Sequence, residues 1–281
     1  MREAMLTLAG LFLLAHVFLA AGVLPAERPS IPCDENGAVP ASQAAFQHIS
    51  AQHHHGYKYK PSDFPSSQDD LACEFHLELD LEETTCHVVN PKPVEECVVR
   101  ETHETKVQSN CNVTLTVVEG KPTVKKYSCS SDPASAEELQ KICPDCPSLL
   151  PLHYPAGLDS IKSALKKFHE ESNETSNFKL LEVGRLSTQH MLTGQSYLAE
   201  FAIVQTDCRS HVICVLGRGK AQYGFCKSTV LGNDEVSVDC EIYDAQVRTL
   251  HHCRGQVKIP PSIHPICPHP IRHMPPTPAD N

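Results

Sequence analysis

The sequence predicts an α+β protein built from two tandem domains, and three observations carry that prediction. The chain has 14 cysteines in 281 residues, an even set that reads as disulfides in an oxidising compartment. Four of them recur: Cys86, Cys97, Cys111 and Cys129 are followed in the same order by Cys208, Cys214, Cys226 and Cys240, at offsets of 122, 117, 115 and 111 residues. In each half, one segment of helical periodicity precedes stretches of strict apolar–polar alternation. One helix packed across an antiparallel sheet of four or five strands is a unit of about 110 residues, the size of a small domain.

The first helix is expected over Ala41–Gln52, after Pro40, with Ala44, Ala45, Phe46 and Ile49 available for one face and Gly56 as the breaker. The second runs from about Gly157 to Glu171, with Leu158, Ile161, Leu165 and Phe168 at helical spacing; polar Ser172 to Asn177 ends it. Alternation marks a strand at Phe75, Leu77, Leu79 and Leu81, and another at Tyr197, Ala199, Phe201 and Ile203. After His251 the chain turns rich in proline and histidine, a composition that does not form a packed core. Cys253 and Cys267 suggest that this tail is tied back to the body.

Arg2 followed by the apolar run Leu6–Val23, closing on Ala20, Ala21 and Gly22, has the layout of a cleaved secretory signal. The run is short for a membrane span. The sequons Asn112-Val-Thr114 and Asn173-Glu-Thr175 agree with a secretory route. A zinc reading of the cysteines fails, because only one CxxC occurs, Cys143 to Cys146, with Pro and Asp between the thiols. Between Cys33 and Cys146 there are 19 acidic against 9 basic residues, while the remainder holds 15 of each. The whole net charge of −10 therefore sits in the first half. This argues against nucleic acid and for cations, basic proteins or mineral as partners. GxSxG, HExxH and GxGxxG are all absent, and bridged cysteines leave no free nucleophile, so no enzyme is expected.

Three stretches carry a family likeness: Leu81-Glu82-Glu83-Thr84-Thr85-Cys86-His87, Cys143-Pro144-Asp145-Cys146-Pro147, and Gln222-Tyr223-Gly224-Phe225-Cys226-Lys227. Ser131–Glu138 and Thr206-Asp207-Cys208 fit as well. Through these motifs the chain resembles the fetuin family of the cystatin superfamily over about residues 33–250, nearer the A branch than the B branch at Cys86 and Cys226. The resemblance implies two cystatin-like domains, at 33–142 and 148–250, joined by a linker at 143–147. A signal peptide at 1–22 and a disordered Pro/His-rich tail at 251–281 flank them. It also implies the bridges Cys86–Cys97, Cys111–Cys129, Cys143–Cys146, Cys208–Cys214 and Cys226–Cys240, with a long bridge from Cys33 to a tail cysteine, Cys267. Cys73 and Cys253 then remain as a pair outside the pattern. Sequence does not fix which tail cysteine each one takes.

Four candidate sites follow. Read as a strand, Glu74–Glu82 sets Glu74, His76, Glu78, Asp80 and Glu82 on one face, with neighbours roughly 6.5–7 Å apart. Hard cations prefer such oxygen arrays, and the family resemblance implies calcium or calcium phosphate binding on this sheet. The linker holds Asp145 outward on a stiff disulfide ring with two prolines. In fetuin-B-like proteins this tip enters an astacin-type metalloprotease cleft and its aspartate ligates the zinc, chemistry a carboxylate suits. His190-Met191-Leu192-Thr193-Gly194 matches the QxVxG hairpin of inhibitory cystatins only in its glycine, and nothing between Lys60 and Leu71 matches it. His53, His54 and His55, with His251, His252, His264, His269 and His273 in the tail, read as a solvated polar segment or a weak zinc or copper site.

The reading that results is a secreted, monomeric glycoprotein that binds calcium or calcium phosphate through Glu74, Glu78, Asp80 and Glu82 and blocks precipitation. The alternative is an endopeptidase inhibitor of an extracellular astacin-type metalloprotease through Asp145. Calcium enters as ligand or mineral, no cofactor is required, and neither membrane nor nucleic acid is a partner.

Overall fold

A computed structural model of the chain describes residues 31–64, 73–172, 177–192, 194–206, 220–232, 235–248 and 262–267. The signal segment, Asn173, Cys208, Cys214, Cys253 and the histidines at 251, 252, 269 and 273 lie outside the described residues.

Helix α1 spans Ala38–Gln52, three residues longer at its start than the sequence pattern suggests. Pro40 is tolerated because it sits in the first turn, where backbone N–H groups have no intrahelical partner. Ala38, Ala41, Ser42, Ala45, Phe46 and Ile49 are buried, the i, i+3, i+4, i+7 repeat of one helical face. The chain then turns at Gly56 (φ +66°) into β1 (Tyr57–Pro61) and returns as β2 (Glu74–His87), β3 (Val107–Val118) and β4 (Lys121–Pro133). These strands form an antiparallel sheet in the order β1-β2-β3-β4. Phe75, Leu77, Leu79 and Leu81 of β2 point inward and join Ala41, Ala45, Phe46 and Ile49 in one core.

Helix α2 (Ala136–Ile142), opened by a Ser135/Glu138 capping box, leads into the Cys143–Cys146 ring and a short strand β5 (Ser148–Leu149). Helix α3 (Pro155–Glu171) buries Gly157, Ser160, Ile161, Ala164 and Phe168. It covers a second antiparallel sheet made of β5 with β6 (Asn177–Met191), β7 (Gly194–Thr206), β9 (Tyr223–Val230) and β10 (Val236–Ile242), in the order β10-β9-β7-β6-β5. Two-residue strands β8 (Lys220–Ala221) and β11 (Gln246–Val247) pair beside it. Each half is thus one helix on an antiparallel sheet, the α+β repeat expected from the cysteines.

The bridges Cys86–Cys97, Cys111–Cys129, Cys143–Cys146 and Cys226–Cys240 are present. The expected long bridge from Cys33 to Cys267 is not: Cys33 pairs with Cys73, at a Cα–Cα distance of 5.1 Å. The Ile31 N–H donates to the Gly120 carbonyl at the β3–β4 turn and the Val117 N–H to the Cys73 carbonyl, which holds the segment around Cys33 beside Cys73 at the start of β2. The pairing Cys73–Cys253 falls with it. Cys267 is disulfide-bonded as well.

A second correction concerns the tail. Residues 262–267 are packed rather than disordered: Ile263 and Ile266 belong to the first core, and the Ile266 N–H donates to Ser131 Oγ at 3.1 Å. Two isoleucines three residues apart supply the apolar surface that the average composition conceals.

Candidate functional sites

The acidic row on β2 is in place, but its members differ. Register sets Glu74 opposite Thr116, His76 opposite Thr114, Glu78 opposite Asn112, Asp80 opposite Asn110 and Glu82 opposite Gln108. Glu78 and Asp80 are exposed, and the Asn110 amide donates to both, at 2.8 and 3.0 Å. Glu74 is half-buried beside His76 at 3.4 Å, whereas Glu82 is tied to Lys106. A groove of about 660 Å³ starts at Asp80 and is lined by Lys106, Gln108, Asn110, Asp132 and Glu138. Among the described residues no three His, Cys, Asp or Glu side chains are arranged to hold a metal ion. The row is a surface of spaced oxygens rather than a chelating pocket, as the two-residue period of a strand dictates.

The linker tip is built from both sides. The Cys143 N–H closes the last turn of α2 on the Leu139 carbonyl at 2.8 Å, and the Cys146 N–H donates back to Cys143 at 3.2 Å. Downstream, β5 pairs with Ser187 and Thr188 of β6. Because β6 ends in the β6–β7 hairpin, the tip and the hairpin stand next to each other. Gln189 Nε2 donates to the Asp145 carbonyl at 2.6 Å, while the Asp145 side chain is exposed. The degenerate QxVxG stretch lies at this hairpin's end, where Met191 is 46 % exposed and Leu192 fully so.

The histidines are not where a solvated tract would put them. His53 and His55 are buried, 9 % and 7 % exposed, and their rings lie 4.9 Å apart. His55 meets His264 at 5.5 Å, and His264 contacts Glu182 at 3.7 Å. Glu182 also bonds His87 at 2.9 Å and accepts the Gly56 N–H at 2.9 Å. A Cβ at Gly56 would stand 2.4 Å from the Cβ of His264, so both its φ and its surroundings require glycine. Burial alone would raise the Glu182 carboxyl, but the His87 hydrogen bond and the His264 and His87 rings hold it at about 2. Burial pushes His53 down to about 4 and also lowers His87, against the pull of Glu182.

Beside this cluster lies a group that sequence reasoning missed. Glu83 of β2 is 1 % exposed, and its carboxylate accepts from Arg100 Nε at 3.0 Å and from Arg185 at 2.6 Å. Arg100 reaches on to Glu200 at 2.9 Å, and its guanidinium lies 4.7 Å from the Tyr57 ring centre. Burial would raise Glu200, but Arg100 outweighs it and its carboxyl lies below the usual range. Arg185, Glu182 and Glu200 come from the second sheet, and Glu83, Arg100, Tyr57 and His87 from the first half. With the apolar cluster of Tyr57, Val89, Ala202, Val204, Tyr223, Phe225 and Tyr243, they join the two halves. The signal was available: Glu83 continues the inward alternation Phe75, Leu77, Leu79, Leu81 by one step, so a strand running past Glu82 has to bury it.

A disulfide-stapled pair of helix-on-sheet units joined through a rigid CPDCP ring defines the class of tandem cystatin-type proteins. The chain is 34 % identical over 225 residues to human alpha-2-HS-glycoprotein, covering 76 % of this chain and 60 % of that relative. Among solved structures, mouse fetuin-B matches with TM-score 0.58 at 26 % identity, over 76 % of this chain and 69 % of that one. Mouse fetuin-B in complex with crayfish astacin matches with TM-score 0.55 at 24 % identity, over 74 % and 66 %. No protein-family model matches. The chain is thus similar to the fetuins over three quarters of its length, and it spans about 60 % of the length of the curated relatives it matches. No helix among the described residues is long and apolar enough to cross a membrane.

Proposed function

We propose that the chain is an endopeptidase inhibitor that presents Asp145 to the catalytic zinc of an astacin-type metalloprotease. One observation carries this reading: Asp145 is exposed at the vertex of a four-residue disulfide ring whose backbone is fixed by α2, by β5 and by the Gln189 amide. A carboxylate already held in this way loses little entropy on binding a metal. The complex of mouse fetuin-B with crayfish astacin supports the reading. The test is inhibition of an astacin-family protease by the parent and by Asp145→Asn, which keeps shape and removes charge. A weakening of about 100-fold is expected, on the scale of a central contact residue. An Asp145→Asn protein as potent as its parent would sink the idea.

A second reading has its own observation. Glu74, Glu78 and Asp80 share one open, regularly spaced face, which suits calcium or calcium phosphate clusters better than a chelated ion. Glu82, neutralised by Lys106, adds least. Turbidity of a supersaturated calcium phosphate solution tests it. In protein made without N-linked glycans, Glu78→Gln with Asp80→Asn should shorten the delay before precipitation, and an unchanged delay would end this reading.

A further inference from the structure

The same face carries a feature of a different kind. Asn112 is exposed in the middle of β3, between Glu78 on β2 and Ser128 on β4. Thr114, the third residue of its sequon, points to the same side, while Val113 between them is buried in the core. Thr114 Oγ1 lies 3.4 Å from His76 Nδ1. Helix α1 packs against the opposite face of the sheet, so among the described residues no element covers Asn112. Its amide makes one long contact, 3.4 Å to Asn110 Oδ1. The sequon is therefore open in the folded chain and sits inside the carboxylate field.

We infer that Asn112 carries an N-linked glycan in the secreted protein, and that this glycan screens Glu78 and Asp80. Directly opposite residues on paired strands have Cβ atoms about 5 Å apart, and diagonal ones about 7–8 Å. Glu78 is the direct partner of Asn112, and Asp80, the partner of Asn110, is a diagonal neighbour. The first sugar already stands over both carboxylates, and the branched remainder is bulky and hydrated. A flat mineral face needs several carboxylates at once, so it meets the sugar first. The consequence for mineral rests on the second reading above; the screening of the carboxylates does not. On this view the fully glycosylated chain keeps its most acidic face closed, and loss or trimming of one glycan opens it.

The experiment uses full-length protein secreted from mammalian cells, beside Asn112→Gln and Thr114→Ala, which remove the sequon in two different ways. Glycopeptide mass mapping is expected to find Asn112 occupied, and an unmodified Asn112 overturns the inference. Carbodiimide labelling of Glu78 and Asp80, with Glu170 as internal reference, is expected to be several-fold faster in both variants than in the parent. It should also rise after an endoglycosidase trims the glycan to one N-acetylglucosamine. (An amidase is unsuitable, since it leaves a new carboxylate at this position.) Equal labelling in parent and variants overturns the screen. In the turbidity assay the variants should hold calcium phosphate at several-fold lower protein concentration. If labelling differs but precipitation does not, a triple change adding Glu78→Gln and Asp80→Asn to Asn112→Gln separates the two failures. A triple variant equal to Asn112→Gln removes the mineral reading and leaves the screen standing; a weaker one overturns the glycan's role in closing the face.

Discussion

Carboxylates at the junction of the two halves and carboxylates on the outer surface are held by opposite means. Glu83 is buried and Glu200 largely so, and they are matched by Arg100 and Arg185, so their charge is consumed within the fold. Glu78, Asp80 and Asp145 are exposed, and the groups that steady them are neutral amides: Asn110 for the first two and Gln189 for the backbone of the third. An amide fixes position without cancelling charge. A guanidinium does both. The lesson is that acidic residues in a sequence divide by the partner they meet, and only those met by amides keep charge available for an outside ligand.

The largest expected effect tests the junction. Glu83→Gln leaves two guanidinium groups around a neutral side chain, and losing one partner from a buried ionic cluster costs about 3–5 kcal/mol. Glu78→Gln, in water, should change stability by less than about 0.5 kcal/mol. Chemical denaturation of both proteins at pH 7 checks the pair. Similar losses for the two variants would break the comparison, since they would mean that the exposed row is structural too.

The histidine side of the junction gives the next effect, and it depends on pH. His53, held at about 4 when folded against an ordinary 6.5, binds fewer protons folded than unfolded, so stability falls as pH drops through that window. His87, also lowered, acts in the same direction. Glu182, at about 2 against 4.5, remains charged when folded while the unfolded carboxyl takes up a proton, so it adds a further loss from about 4.5 downward. At about 1.4 kcal/mol per unit, His53 alone removes ~3 kcal/mol between pH 6.5 and 4. The thermal midpoint at pH 7, 5.5 and 4.5 should fall steadily, and His53→Gln should flatten the fall. A midpoint indifferent to pH would show that these rings are not sealed between the halves.

How much of this was legible follows the same division. The α+β repeat was readable, because alternation and helical spacing report which face meets a core, as at Phe75–Leu81 and Ile161–Phe168. The linker was readable because two cysteines three residues apart leave the chain few shapes. The junction was only half legible: alternation along β2 places Glu83 inward, but its partner Arg185 lies 102 residues away and no local pattern pairs the two. His53–His55 looked polar by composition, yet their burial depends on Gly56 and His264 meeting across 208 residues. Cys33–Cys73 escaped because the family pattern supplies no partner for Cys73, while the contact between Ile31 and Gly120 that brings it close is tertiary.

The smallest effect bears on the amide half of the comparison. Gln189→Ala removes the hydrogen bond to the Asp145 carbonyl but leaves the Asp145 charge, the Cys143–Cys146 ring and the β5–β6 pairing in place. A neutral hydrogen bond contributes about 1 kcal/mol, which corresponds to inhibition weaker by roughly 5-fold. The loss should appear as faster dissociation of the protease complex, because a looser ring orders itself anew on each encounter while long-range attraction by the charge is unchanged. Gln189→Glu sharpens the test: a carboxylate cannot donate to that carbonyl, so it should be at least as weak as Gln189→Ala. Full potency in both variants would mean that the disulfide and prolines alone hold the tip. Neutral amides would then steady the carboxylate row of β2 but not the linker.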